Sequence, residues 1–410
     1  MSRLRLIAPP QLVGNVSLPA SKSVSNRLLL LDALCPVPGM LHGVALCDDT
    51  HAMQQALAAT CGTLDVGAAG TAMRFATALL AVRQGCDVVL TGSERMCERP
   101  IGVLVSALRE LGARIDYVGR EGFPPLHIVG AQLHPAHLTM PAHVSSQFIS
   151  AVAMILPVVG GGSITLEGEV VSRPYIDMTL ALMRRYGAQA TFAGHTIEVA
   201  GGAYEPQELT VEADWSAASY WYALAALLPG SELTLPGLER DSLQGDSAVR
   251  HMMSPLGVTT EWLPAGGVRL SGRPTCNCPA HLDMTATPDL AQTLAVTLCL
   301  LGRPFRLTGL RSLRIKETDR LEGLRSQLAK VGYLLTVEGD EALSWDGDRC
   351  EPQPNPVIET LHDHRMAMAM ALCAVKHPGV VIDDAQVVTK SYPAFWQQLG
   401  QAGFTIVQLS

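Results

Sequence analysis

The sequence predicts an α/β protein (mixed α+β) with two domains. Its 410 residues exceed what a single hydrophobic core usually spans, so two domains of about 200 residues each are expected. One pattern, an amphipathic helix end followed by glycine and a short strand-like run, occurs around Gly62, Gly112, Gly187, Gly257, Gly332 and Gly403. Glycine commonly ends a helix in the left-handed conformation. Helices and strands that alternate at this long period predict repeated α/β units rather than a solenoid.

Each repeat follows the order strand, helix, strand, helix, strand, strand. The strand 88–90 precedes the helix 100–111, and the strand 164–166 precedes the helix that starts at Pro174. Six such units in two sets of three agree with two domains. A change of character at 211–214 indicates a crossover between them. If the six helix ends are instead unrelated, the predicted fold class stays the same.

Composition indicates a well-buried globular protein and excludes several classes of function. The chain is 48% hydrophobic and 17% charged, with a net charge of −8, which argues against bulk binding of nucleic acid. It has neither a signal-peptide pattern nor an apolar stretch long enough for a membrane span, so we expect a cytoplasmic protein. The ten cysteines are scattered, as is typical of reduced thiols. Cys276 and Cys278 form the one close pair, which is weak support for zinc.

Several predicted helices begin with groups that suit anions. Residues 19–27 read Pro-Ala-Ser-Lys-Ser-Val-Ser-Asn-Arg before an apolar run, so backbone N–H groups, hydroxyls, Lys22 and Arg27 would face one ligand. A solvated N-cap is the alternative for any one such segment. Comparable helix starts in the first half of the chain contain Gly70, Arg99, Ser145, Ser146, Gln147, Ser172 and Tyr175.

The second half of the chain adds carboxylates to the same pattern. Asp289 lies in the first turn of an apolar helix, and Glu317 lies between Lys316 and Arg320, which would share a helix face. A surface ladder of salt bridges is the alternative explanation. The cations at helix starts predict a positive cleft for two substrates that carry phosphate or carboxylate, with Asp289 and Glu317 as proton-transfer groups. These cations are Lys22, Arg27, Arg99, Lys316, Arg320, Arg365 and Lys390. His362 and His364 fall on different helix faces, so we expect no metal site there.

Seven ordered motifs carry a resemblance to a known family. They are residues 21–27, 70–74, 95–102, 145–148, 173–177, 316–321 and 363–368. In this order they resemble the 5-enolpyruvylshikimate-3-phosphate synthase family of enolpyruvyl transferases. The resemblance implies a two-domain inside-out α/β barrel, with three βαβαββ-type units per domain and helix N-termini that face an interdomain cleft. It places residues 1–19 and 214–410 in one domain and 20–213 in the other, with crossovers near 19–20 and 211–214.

The resemblance also implies the reaction: an enolpyruvyl group moves from phosphoenolpyruvate to the 5-hydroxyl of shikimate 3-phosphate, with release of phosphate and without cofactor or metal. Asp289, Glu317 and Lys22 would be catalytic. The shikimate 3-phosphate site would comprise Lys22, Ser23, Arg27, Ser145, Ser146, Gln147, Ser172, Tyr175, Asp289 and Lys316. The phosphoenolpyruvate site would comprise Lys22, Gly70, Arg99, Gln147, Arg320, Arg365 and Lys390. A monomer that closes its domains on ligand and binds the inhibitor glyphosate is expected.

Four positions depart from the family pattern: Ala68, Phe75, Cys97 and Ser312. Two competing interpretations remain. The related UDP-N-acetylglucosamine enolpyruvyl transferases have the same architecture, but the segments at Ser145 and Lys316 match the shikimate enzyme. A non-catalytic phosphometabolite-binding protein is the other, and Asp289 and Glu317 argue against it, because extra negative charge does not help a protein to hold anions.

Overall fold

The chain divides into two compact units. The structure, a computed structural model, describes residues 2–143, 145–273, 275 and 280–409. One unit comprises Met1–Pro19 with Glu212–Ser410, and the other comprises Ala20–Val211. The weak zinc candidates Cys276 and Cys278 lie outside the described residues. None of the helices within the described ranges is both long and apolar enough to cross a membrane.

The strands, in chain order, are short and spread along the whole chain. They are β1 Arg3–Ile7, β2 Val13–Asn15, β3 Met40–His42, β4 Cys61–Asp65, β5 Asp87–Thr91, β6 Arg114–Tyr117, β7 Leu126–Val129, β8 Ala136–Pro141, β9 Gly161–Glu167, β10 Ala190–Ala193, β11 Thr196–Ala200, β12 Glu208–Thr210, β13 Glu232–Leu235, β14 Val258–Trp262, β15 Val268–Gly272, β16 His281–Asp283, β17 Phe305–Thr308, β18 Thr336–Glu338, β19 Ala342–Trp345, β20 Val357–Ile358, β21 Val380–Ile382 and β22 Thr405–Leu409.

The α-helices alternate with these strands, which confirms the predicted α/β class. They are α1 Lys22–Ala33, α2 Asp48–Ala58, α3 Gly70–Val82, α4 Glu94–Cys97, α5 Gly102–Glu110, α6 Ser146–Ile155, α7 Arg173–Arg185, α8 Trp215–Leu227, α9 Val249–Met253, α10 Ala291–Leu300, α11 Arg320–Lys330, α12 His364–Ala371 and α13 Phe395–Gln401. Short 3₁₀ helices are Pro157–Val159, Gly245–Ala248, Ser254–Leu256, Pro288–Leu290, Arg311–Ile315, Leu372–Val375 and Ala385–Lys390.

Within the described residues, five sheets have the same four-stranded topology. In each, two strands pair in parallel, a third pairs antiparallel with the second, and a fourth pairs antiparallel with the third. The unit Ala20–Val211 contains the sheets β4-β5-β7-β6 and β8-β9-β11-β10. The other unit contains β2-β13-β15-β14, β16-β17-β19-β18 and β20-β21-β1-β22. Among the residues that the structure describes, a sixth sheet contains the parallel pair β12-β3 alone and lacks the antiparallel hairpin of the other five.

The predicted helix stop at Gly62 is wrong. Helix α2 ends at Ala58, and Gly62 lies inside β4 with a φ of 84°. At the other five glycines φ is also positive, and each follows a helix or a helical turn. Gly62 itself lies in the sheet β4-β5-β7-β6, whereas α2 follows β3 of the pair β12-β3. Helix α2 leads directly into β4 without an antiparallel hairpin between them, which explains why the spacing from Gly62 to Gly112 is shorter than the later spacings.

The most apolar helices lie at the centre of each unit. In Ala20–Val211, α3 is buried from Gly70 to Ala81 and packs against α6. In the other unit, α10 packs against α8 and α12, and all three are buried along their length. Alanine and other small residues allow this close packing. Central helices bury every face but leave their first turns for polar groups, and the candidate residues Gly70, Ser146, Gln147 and Arg365 lie in such turns.

Candidate active site

Lys22 is the first residue of α1 and is held by a carboxylate from the next helix. Its Nζ lies 2.8 Å from Oδ2 of Asp49, a buried residue in the first turn of α2. Ser21 caps α1 by accepting a hydrogen bond from the N–H of Val24. The ammonium is therefore fixed in direction at the helix start. Sequence reasoning found Lys22 but missed Asp49, 27 residues away.

Arg27 lies inside the unit rather than at its surface, with 2% of the residue exposed. Its Nε donates to Oγ1 of Thr179 at 2.6 Å, and a terminal nitrogen donates to the carbonyl of Ser23 at 2.9 Å. The guanidinium lies 5.4 Å from the ring centroid of Phe75 and 5.9 Å from that of Tyr175. Burial lowers the pKa of Arg27 to about 10, so it stays cationic at neutral pH. In this arrangement Arg27 ties α1 to α3 and α7.

The start of α3 brings two buried guanidinium groups to Gly70. A Cβ added at Gly70 would lie 2.8 Å from a terminal nitrogen of Arg99 and 3.3 Å from one of Arg74. Arg74 also donates to the carbonyl of Gly70 at 3.2 Å. The Nε of Arg99 is buried and has no hydrogen-bond partner among the residues that the structure describes. Two cations beside a backbone that has no side chain at Gly70 suit an anion. The sequence motif contained Arg74, but no role was predicted for it.

The polar segment at α6 is connected to α3. Ser145 caps α6 by accepting from the N–H of Gln147, with the side-chain oxygen at 3.2 Å, and Ser146 is the first helical residue. The amide nitrogen of Gln147 donates to Oγ1 of Thr71 at 3.1 Å. Ser172 precedes α7 with a φ of 56°, in the left-handed region that non-glycine residues seldom adopt. These contacts fix the Ser145 hydroxyl and the Gln147 amide, two of the groups that the family resemblance assigned to shikimate 3-phosphate.

In the unit Met1–Pro19 with Glu212–Ser410, Arg320 is the centre of an ionic cluster. It is 2% exposed, and its three nitrogens contact Asp363 at 2.7 Å, Asp289 at 2.9 Å and Glu317 at 3.0 Å. Burial lowers the pKa of Arg320, but the three carboxylates outweigh it and hold the pKa above its usual range. Asp363 also caps α12 by accepting from the N–H of Arg365 at 2.8 Å. Arg320 is therefore always charged and anchored by three segments.

Asp289 is surrounded by cations. Besides Arg320, a terminal nitrogen of Arg365 lies 3.2 Å from Oδ2, and Nζ of Lys316 lies 3.7 Å from Oδ1. Burial alone would raise the pKa of Asp289, but Arg365, Lys316 and Arg320 together hold it well below its usual range. On the other side of the cluster, Nζ of Lys390 lies 3.5 Å from Glu317. The structure thus brings together all six candidate residues that the sequence placed in this half.

The prediction that Lys316 and Arg320 share a helix face is wrong. Helix α11 begins at Arg320, because the Asp319 side chain caps it by accepting from the N–H groups of Leu321 and Glu322. Lys316 follows the 3₁₀ helix Arg311–Ile315 and has an extended backbone. Both cations still reach Asp289, but from different segments.

Comparisons with known proteins identify the family of the chain. A profile of the EPSP synthase (3-phosphoshikimate 1-carboxyvinyltransferase) family matches residues 57–399. The 3-phosphoshikimate 1-carboxyvinyltransferase of Bacteroides fragilis (strain YCH46) is 50% identical over 406 residues, 98% of each chain. The chain belongs to the EPSP synthase family. The enzyme of that name from Laribacter hongkongensis (strain HLHK9) is 38% identical over 434 residues, covering 97% of this chain and 98% of the relative.

A solved EPSP synthase from Acinetobacter baumannii has the same fold. It covers 100% of both chains with a TM-score of 0.79 at 22% identity. Three of the positions that depart from the family pattern have defined surroundings. The Phe75 ring packs against the guanidinium of Arg27, and the hydroxyl of Ser312 is buried without a hydrogen-bond partner among the described residues. Cys97 ends the short helix α4, two residues before Arg99. Phe75 therefore contacts one candidate site residue, Arg27, and Cys97 lies close to another, Arg99, along the chain.

Proposed function

We propose that this chain is a 3-phosphoshikimate 1-carboxyvinyltransferase, which transfers the enolpyruvyl group of phosphoenolpyruvate to the 5-hydroxyl of shikimate 3-phosphate in the shikimate pathway, towards chorismate and the aromatic amino acids. The observation that carries the proposal is the pair of carboxylates, Asp289 and Glu317, that share Arg320 inside a cluster of cations. The cations suit anionic substrates, and the carboxylates suit proton transfer. Membership of the EPSP synthase family supports the same reaction.

Two sets of residues are proposed to bind the substrates. Shikimate 3-phosphate is bound by Lys22, Ser23, Arg27, Ser145, Ser146, Gln147, Ser172, Tyr175, Asp289 and Lys316. Phosphoenolpyruvate is bound by Lys22, Gly70, Arg99, Gln147, Arg320, Arg365 and Lys390. Because Arg27 already donates to the carbonyls of Ser23 and Tyr175, it also orients those two residues.

The reaction follows by addition and elimination. Asp289 accepts the proton of the 5-hydroxyl while that oxygen bonds to C2 of phosphoenolpyruvate, and Glu317 donates a proton to the methylene carbon. The resulting tetrahedral intermediate carries a carboxylate and a phosphate, which the cations neutralise. Glu317 then takes a proton back from the new methyl group, the C2–O bond to phosphate breaks, and the enolpyruvyl ether forms. Lys22 neutralises the departing inorganic phosphate.

The free chain holds its catalytic carboxylates in ion pairs that substrate anions can replace. Asp289 contacts Arg320, Arg365 and Lys316, and Glu317 contacts Arg320 and Lys390. A carboxylate held by three cations is a weak base. When phosphoenolpyruvate binds Arg320, Arg365 and Lys390, its own charges take over part of this pairing. The pKa of Asp289 then rises, and the residue becomes a proton acceptor when its substrate arrives.

The setting of the reaction is also proposed. A net charge of −8 supports small-molecule substrates rather than nucleic acid, because binding of nucleic acid usually needs a basic surface. We propose that the chain acts in the cytoplasm as a monomer, away from membranes.

Phosphate release tests the proposed function. The purified chain is mixed with phosphoenolpyruvate and one of three acceptors: shikimate 3-phosphate, UDP-N-acetylglucosamine or none. We expect inorganic phosphate only with shikimate 3-phosphate, in a 1:1 ratio to the enolpyruvyl ether. Release with UDP-N-acetylglucosamine would assign the chain to the related transferases. Tight binding of both substrates without turnover would favour the non-catalytic interpretation.

The lack of a side chain at Gly70 predicts different effects on substrate and inhibitor. In Gly70→Ala the new Cβ would lie 2.8 Å from Arg99, so the guanidinium must move by a few tenths of an ångström. We expect a modest rise in KM for phosphoenolpyruvate and a larger rise in the inhibition constant of glyphosate, the longer anion. Inhibition kinetics on both proteins measure this. Gly119→Ala is the control, because nothing lies within 4 Å of its added Cβ. Equal losses for both ligands would contradict the prediction.

A further inference from the structure

Asp246 is a buried carboxylate to which the mechanism above assigns no role. It lies in the 3₁₀ helix Gly245–Ala248 and is 3% exposed. Its Oδ2 accepts a hydrogen bond from the hydroxyl of Ser216, and its Oδ1 has no hydrogen-bond partner among the described residues. Burial raises the pKa of Asp246 to about 6, although the nearby charge of Arg365 lowers it. At neutral pH the group is therefore mostly ionised, in a place where a charge is costly.

Ser216 connects this carboxylate to the proposed phosphoenolpyruvate site. It lies in the first turn of α8, and its Oγ accepts from a terminal nitrogen of Arg365 at 3.3 Å. The same nitrogen donates to Oδ2 of Asp289 at 3.2 Å, and the other terminal nitrogen donates to the carbonyl of Asp289 at 3.3 Å. The Ser216 hydroxyl has a single proton, and it donates that proton in its hydrogen bond to Asp246. The lone pairs of Ser216 are thereby directed at Arg365.

The fold gains little from this pair. Helix α8 is already capped by Asp214, whose side chain accepts from the N–H of Ala217 at 2.8 Å. A neutral side chain of similar size in place of Asp246 would avoid the cost of a buried charge. Through Ser216, the pair Ser216–Asp246 instead contacts the same terminal nitrogen of Arg365 that donates to Asp289. This arrangement matters most when Asp289 is released.

We propose that Ser216 and Asp246 are positioning residues that hold Arg365 in the orientation that binds phosphoenolpyruvate. The proposal rests on the proposed function, in which the substrate takes over part of the pairing between Arg365 and Asp289. Once that pairing weakens, the Ser216 hydroxyl is a remaining side-chain acceptor that keeps the guanidinium in place. Because the acceptor is oriented in advance, less freedom is lost when the substrate binds.

Kinetics of Ser216→Ala, Asp246→Asn and the double variant test whether Ser216 and Asp246 position Arg365. Each single change should raise KM for phosphoenolpyruvate about tenfold, because a hydrogen bond to a charged group contributes enough free energy to change an affinity by that factor. KM for shikimate 3-phosphate should stay within about twofold, because Arg365 does not contact that substrate in the proposal. The double variant should be no worse than the more impaired single variant, since both act through one contact.

Two controls separate positioning from a structural role. Ser219→Ala removes a buried hydroxyl from the same helix, where it contacts the Ser216 carbonyl and Thr293, and should leave both KM values unchanged. Ser216→Thr keeps a hydroxyl and should restore most of the affinity for phosphoenolpyruvate. Asp246→Asn should unfold at the same temperature as the parent or higher, since a buried charge is lost.

The outcomes distinguish this proposal from the proposed function. If the parent chain releases no phosphate with either acceptor, the proposed function fails. If the parent is active and Ser216→Ala or Asp246→Asn leaves KM for phosphoenolpyruvate unchanged, the proposed positioning role is wrong. Equal rises in KM for both substrates, or additive effects in the double variant, would also overturn it.

Discussion

Arg320→Met is expected to destabilise its unit by about 3–5 kcal/mol, the scale for removing one partner of a buried ion pair. The methionine fills similar space, but three carboxylates, Asp363, Asp289 and Glu317, lose a shared cation. Denaturant unfolding measures the loss. Arg325→Met is the matched control on the same helix: its side chain is 53% exposed and pairs with Glu322, so its effect should stay within about 1 kcal/mol.

The destabilisation should depend on pH in a defined direction. The folded-state pKa of Asp289 is depressed, so its contribution to stability is present at neutral pH and is lost as the pH falls through the folded pKa. In Arg320→Met, Asp289 loses one of the cations that hold its pKa down, so the pKa of Asp289 rises. Asp289 is therefore protonated at a higher pH, which relieves part of the buried negative charge. The gap in unfolding free energy between parent and variant should narrow from pH 7 to pH 4, and a constant gap would contradict the cluster's role.

Asp289→Asn is expected to lower kcat about a hundredfold or more, the usual scale for a lost general base. The amide keeps the size of the side chain but cannot take the hydroxyl proton. Binding of phosphoenolpyruvate should stay within about tenfold of the parent and change towards tighter binding, because a carboxylate that competes for Arg365 and Arg320 is gone. Steady-state kinetics and calorimetric binding measure the two effects separately.

Controls for this prediction lie close by. Asp283→Asn is the same change at an exposed residue of β16. Among the described residues, the Asp283 side chain forms hydrogen bonds only with Thr285, so this substitution should leave kcat unchanged. Glu317→Gln should also lower kcat, because the methylene carbon then lacks its proton donor. If Asp289→Asn turns over at the rate of the parent, another group accepts the proton. If it loses phosphoenolpyruvate binding, Asp289 is a structural anchor rather than a base.

Most of the fold was predictable because it depends on local patterns. Apolar helices that begin with polar residues and end near glycine predicted the alternating elements. The lack of a hairpin in the sheet β12-β3 could not be predicted, because its only trace in the sequence is the shorter spacing between Gly62 and Gly112. Gly62 was misassigned because a glycine four residues beyond the true end of α2, at Ala58, fits the same pattern.

The candidate site was predictable where a residue stands at a helix start, and less so where its role depends on a distant partner. Lys22, Gly70, Asp289 and Arg365 all carry that local signal. Their partners are far along the chain: Arg320 and Asp363 are 43 residues apart, and Ser216 and Arg365 are 149 apart. The packing of α8 and α12 against α10, and of α11 against α12, brings such groups together. The burial of Arg27 under Phe75 likewise follows from packing between helices.

The fate of the methylene protons tests the proposed chemistry most directly. The chain is incubated with phosphoenolpyruvate and shikimate 3-phosphate in D2O, and the enolpyruvyl ether is examined by proton NMR and mass spectrometry. Addition and elimination pass through a methyl group that gains one solvent deuteron, so the vinyl methylene of the product should carry deuterium while inorganic phosphate accumulates in equal amount. A product without deuterium, or pyruvate in its place, would contradict the mechanism.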